Sequence, residues 1–115
     1  MKQFILSFKY AIEGIITSII EEKNIKIHIL AIFVTILMGI IYKISTMEWI
    51  ICILLFGLVI STEIINTAIE NAVDLVTDEK NILAKKAKDA AAGAVLVNAI
   101  ISVIIACIIW IPKIF

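Results

Sequence analysis

Residues 90–111 contain no charged side chain, and at about 1.5 Å per residue that run is long enough to cross a hydrocarbon core of about 30 Å. Two more uncharged apolar runs precede it, at 29–42 and 49–62. The chain has only 115 residues and is 63% hydrophobic, whereas soluble domains are about 45–50% apolar. A fold this small leaves much of its surface exposed, so the excess apolar surface has to meet lipid. The expectation is an all-α integral membrane protein. Its first span is predicted over 27–43, reaching full length only if Lys26 and Lys43 extend their ammonium groups to the interface. The second runs over 48–76, apolar at first and polar in its later turns. The third covers 89–111, with Trp110 and Lys113 at its tip and Pro112 expected to stop it.

Ahead of the spans, residues 1–24 read as an amphipathic helix. Phe4, Phe8, Ile12, Ile15 and Ile19 recur at spacings of three and four, while Lys2, Lys9, Glu13 and Glu21 fall elsewhere. Such a helix is expected to lie in the membrane interface. Lys9 and Glu13 interrupt any signal-peptide core, so a cleaved leader is not expected. The net charge is zero, and no basic tract of the nucleic-acid type occurs. All ten basic residues are lysines. With three spans, eight of them (Lys2, Lys9, Lys23, Lys26, Lys80, Lys85, Lys86 and Lys88) share one side with the loop expected at 77–88, against Lys43 and Lys113 opposite. By the positive-inside rule that side is cytoplasmic. Cys52 and Cys107 have no His or Cys neighbours and read as small apolar filler, a disulfide between them being the lesser alternative.

The second span carries an unusual polar stripe. At 100° per residue, Glu63, Asn66, Glu70 and Asp74 fall within an arc of about 80°. The positions between them are largely Ile, Ala and Val. A charge at the bilayer centre costs roughly 2.5–3.5 kcal/mol even on lenient scales, so these acids must face the bundle interior or water and need cations. A divalent metal or a lysine such as Lys88 can serve. Counted from Trp49, Glu63 lies about 21 Å deep, in the inner leaflet, and Asp74 emerges at the cytoplasmic boundary. The bland alternative is a helix-packing seam, with Asn66 and Asn98 as interhelical glue. It suffices for Asn98 but not for several acids in one stripe. Glu21 and Glu22 at the end of the surface helix, and Lys88-Asp89 at the start of the third span, lie at matching depth. A solvated helix end and a helix cap are the competing readings of those two pairs.

The stretch from Glu63 through Asn66 and Glu70 to Asp74 resembles the signature of the prokaryotic diacylglycerol kinase family, which includes undecaprenol kinases. The spacing onward to Ala87-Lys88-Asp89, and Glu22 ahead of the first span, match it too, and the resemblance covers nearly the whole chain from Tyr10. It implies a homotrimer with active sites shared between subunits, in a bacterial plasma membrane, using ATP and Mg²⁺ from the cytoplasm. It also implies that Glu63 is the catalytic base, in contact with the lipid substrate, and that Glu22 and Glu70 hold the metal. Tyr10, Glu22, Asn66, Glu70, Asp74, Glu79, Lys88 and Asp89 would form the ATP site. Gln3 departs from the Arg of some members. Ala92-Gly93-Ala94 and the segment Asn24-Ile-Lys26-Ile-His28 are closer to the Gram-positive branch. The implied acceptor is therefore undecaprenol, with diacylglycerol as the alternative.

No Walker-type phosphate loop and no protein-kinase glycine loop is present. Phosphates are thus expected to be held by metal and lysine. A small proton-coupled transporter is the remote rival, but it would carry one isolated intramembrane acid rather than a stripe. His28 is read either as a headgroup contact or as an ordinary interfacial histidine.

Overall fold

The computed structural model describes residues 1–115 as four helices: α1 (Lys2–Glu21), α2 (Lys23–Ile41), α3 (Thr46–Val76) and α4 (Ile82–Ile114). All four are long and apolar enough to cross a membrane. Only 12 of the 115 residues are buried, which identifies the outer surface, not an internal core, as the main apolar surface of the molecule. An all-helical membrane protein is the result. By length and composition α1 meets the same test as the other three helices, so the division into one surface helix and three spans is not fixed by the helices themselves.

Local sequence explains the boundaries. At the end of α2, Lys43 takes a left-handed conformation (φ 51°), and the Ile44 amide donates to the Gly39 carbonyl at 3.2 Å. That six-to-one bond closes a Schellman turn with a lysine where glycine is usual. Helix α3 then opens with a capping box. The Glu48 amide donates to Ser45 Oγ at 3.1 Å and the Ser45 amide donates to Glu48 Oε1 at 2.9 Å. Gly39 lets the two helices approach closely, since a Cβ there would stand 2.7 Å from the Trp49 ring.

Two predicted boundaries are corrected. The polar stretch expected as a loop over 77–88 is already helical from Ile82, because Asn81 Oδ1 accepts from the amides of Leu83 (2.8 Å) and Ala84 (3.3 Å). Asn81 is therefore the cap, and Asp89 lies within the helix, about two turns in. Pro112 does not stop α4, which continues to Ile114. Pro112 falls in the last turn, where its missing N–H removes a single bond, to the Ile108 carbonyl, and leaves the rest of α4 intact.

Helices α3 and α4 form an antiparallel pair with the most extensive contact in the molecule. Three polar links set its register. Lys113 Nζ meets Glu48 Oε2 at 2.8 Å, Asn98 Nδ2 donates to Thr62 Oγ1 at 2.7 Å, and Lys88 Nζ meets Asp74 Oδ1 at 2.5 Å. Asn98 is thus interhelical glue, as its sequence context suggested. Ile44, Cys52, Ile109 and Trp110 pack together at the Glu48–Lys113 end. Cys52 and Cys107 are both free, Cys52 buried in that cluster and Cys107 exposed on the outer face. Helix α2 packs on α3, and α1 touches α2 and α3 with Ser18 as its one buried residue.

Candidate active site

Helix α3 presents its acidic stripe inward where α2 crosses it. Glu63 is almost completely enclosed, at 1% exposure, and Asn66 and Thr67 are buried beside it. The Thr67 hydroxyl is used locally, donating to the Glu63 carbonyl at 3.0 Å. Asn66 Nδ2 donates to Glu70 Oε1 at 3.2 Å, tying two members of the stripe together one turn apart. Both carboxylate oxygens of Glu63 and Oδ1 of Asn66 are buried without a hydrogen-bond partner. Orphaned acceptors of this kind are expensive to maintain. A donor or a cation arriving from outside would satisfy them.

Glu22 closes the cluster from the junction of α1 and α2. It is the single extended residue (φ −97°, ψ 119°) separating the two helices, which brings its carboxylate back toward α3. Partial burial raises its pKa above the ordinary carboxylate value, the charges of Glu70 and Glu63 push it further up, and the Thr67 hydroxyl opposes them. Three carboxylates from two segments are therefore close enough to repel one another.

One cation-capable group reaches Glu63 directly. His28 Nε2, on α2, lies 3.0 Å from Glu63 Oε1, though the approach is not aligned as a hydrogen bond. The sequence offered no local signal linking positions 28 and 63, because the contact is made only by packing α2 on α3. His28 also stands at the polar end of an apolar cavity of about 110 Å³ between α2, α3 and α4, which continues past Val59 and Phe56 to Trp110.

Further along α3 the remaining predicted residues gather separately. Asp74, Glu79, Lys88 and Asp89 line an open cleft of about 570 Å³ between the end of α3 and the start of α4. There Lys88 pairs with Asp74, and Lys85 with Asp89 at 2.5 Å. Lys85 was not singled out from sequence. Its spacing four residues before Asp89 was the available signal. Tyr10 is not brought to either group: it lies midway along α1, 61% exposed. The candidate residues thus form a buried carboxylate cluster and, toward the α3–α4 connection, a charged cleft.

A membrane-embedded helical bundle with a buried acidic cluster and a charged cleft at one end is the class defined by this geometry. The chain belongs to the prokaryotic diacylglycerol kinase family, whose sequence model matches residues 9–110. It is 45% identical over 113 residues to the undecaprenol kinase of Bacillus subtilis (strain 168), covering 98% of this chain and 92% of that protein. It is 34% identical to a diacylglycerol kinase of Synechocystis, over 94% of this chain and 62% of that one. A Helicobacter pylori diacylglycerol kinase is 38% identical over 86% of this chain and 77% of its own length.

Proposed function

We propose that this protein transfers the γ-phosphoryl group of ATP to undecaprenol, with Glu63 as the general base. The observation that carries the reading is Glu63 itself: a carboxylate enclosed within a membrane helix, its oxygens unpartnered. The 45% identity to an undecaprenol kinase across both chains favours the polyprenol over diacylglycerol. The diacylglycerol reading is kept as the second choice because the Synechocystis and Helicobacter pylori relatives carry that name.

Phosphoryl transfer requires positioning and charge neutralisation more than covalent chemistry. Glu63 accepts the proton of the lipid hydroxyl as that oxygen attacks the γ-phosphorus. The O–H bond breaks, a new P–O bond forms, and the bond from the γ-phosphorus to ADP breaks. Burial strips the carboxylate of competing water. Glu22 and Glu70 are suited to hold Mg²⁺, since they offer hard oxygen ligands and their mutual repulsion is relieved by a cation. When bound, the ion supplies charge neutralisation for the phosphates. In the cleft, Lys85 and Lys88 rest against Asp89 and Asp74, from where their ammonium groups can turn to a polyphosphate. Asn66 and Glu79 complete the nucleotide side, and Tyr10 reaches it from α1 or from a neighbouring subunit.

A homotrimer in the bacterial plasma membrane, with the active sites facing the cytoplasm, is the assembly that goes with this reading. The trimer is what the family resemblance implies, with the apolar outer surface shared between lipid and neighbouring subunits. The surface placement of α1 is supported by the Lys9–Glu13 ion pair (4.0 Å) at its middle, because charges there would stand at the bilayer centre if α1 crossed it.

The test is phosphate transfer from ATP by the purified protein in mixed micelles containing undecaprenol or diacylglycerol. Transfer to undecaprenol, lost in Glu63→Gln while ATP binding persists, is the expected result. Wild-type turnover in that variant would remove Glu63 from the mechanism, and preferential transfer to diacylglycerol would reverse the substrate assignment.

A further inference from the structure

The geometry points to His28 as a positioning residue that orients the Glu63 carboxylate for proton abstraction. The inference rests on the reading of Glu63 as the base. Three observations carry it. Glu63 is 1% exposed and its oxygens lack hydrogen-bond partners, so no other polar group in the chain directs its carboxylate. His28 Nε2 is 3.0 Å from Oε1, and it is the sole nitrogen group paired with that side chain. Imidazole is also one-quarter exposed at the edge of the apolar cavity, so it faces both the buried base and the space an aliphatic chain can enter.

The present approach falls short of hydrogen-bond alignment, but χ2 of histidine is a soft torsion. A small rotation of the ring directs Nε2–H at Oε1. That bond leaves Oε2 free to accept the proton of an incoming hydroxyl, and it gives the carboxylate a polar partner that fixes which oxygen faces the substrate. Carboxylates that must act on a defined proton need this kind of support.

The experiment compares His28→Ala, His28→Gln and Glu63→Gln in the full-length protein, using undecaprenol in mixed micelles and recording kcat, lipid KM and ATP binding. Thermal unfolding checks that each variant is folded. His28→Ala is expected to lose roughly 10- to 100-fold in kcat with lipid KM little changed. His28→Gln, whose amide can still donate to Oε1, is expected to recover most of that loss. Unchanged kcat in His28→Ala overturns the inference, as does a loss that appears wholly in lipid KM, which would make His28 a substrate contact. Inactive His28→Gln, folded and binding ATP, also overturns it. The premise is read separately: active Glu63→Gln removes the base assignment, whereas inactive Glu63→Gln beside fully active His28→Ala removes the role of His28 alone.

Discussion

At the scale of single residues, the carboxylate cluster is the informative feature. Glu22 carries a raised pKa because it is partly buried and faces Glu70 and Glu63. A divalent cation bound there converts that repulsion into attraction and stabilises the folded state by ordinary binding linkage. Mg²⁺ should therefore raise the melting temperature of the wild-type protein in detergent. The increase should shrink strongly in Glu22→Gln and in Glu70→Gln, as followed by thermal unfolding with and without EDTA. An equal Mg²⁺ response in both variants would relocate the metal. Most of this cluster was legible in the sequence, because period-3.6 spacing alone places Glu63, Asn66, Glu70 and Asp74 on one face, and intramembrane acids are too costly to be idle. What the sequence could not reveal was the partner of Glu63. The contact with His28 joins residues on two helices, and no periodicity within either one encodes it.

At the scale of elements, the connections and the α3–α4 seam set the geometry. Lys43 holds a left-handed conformation that costs a non-glycine residue roughly 1–2 kcal/mol. Lys43→Gly should stabilise the protein by about 1 kcal/mol, read as a rise in the unfolding midpoint. Gly39→Ala should do the opposite, by about 1–3 kcal/mol, since the new methyl group would meet the Trp49 ring at 2.7 Å. In the seam, Asn98→Ala removes the donor to Thr62 Oγ1. Double-mutant cycles with Thr62→Val should return a coupling of about 0.6–1.7 kcal/mol, the range for interhelical bonds in membranes. The helices themselves were readable from hydropathy. Their ends were less so. Thr77 to Asp89 looks like a polar loop because lysines and acids dominate it, yet the lysines are good helix formers and Asn81 caps them into α4. Pro112 misled in the same direction: its missing N–H removes only the bond to the Ile108 carbonyl, and the helix runs on to Ile114.

At the scale of the whole molecule, a chain with so little buried surface depends on its surroundings for stability. The proposed trimer should appear in native mass measurements in mild detergent as three copies of the 12.7 kDa chain, and a monomer that retains full activity would count against shared sites. The α3–α4 ladder also has a mechanical meaning. Its three rungs, at Glu48–Lys113, Thr62–Asn98 and Asp74–Lys88, are spread along the full length of the pair. Sliding one helix past the other by a turn, about 5.4 Å, would break all of them at once. The two helices therefore act as a rigid post, and the freedom to move falls to α1 and α2, which are joined to each other through one extended residue. Glu22 is the hinge between them, and under the proposed metal assignment any bending there would also displace a ligand.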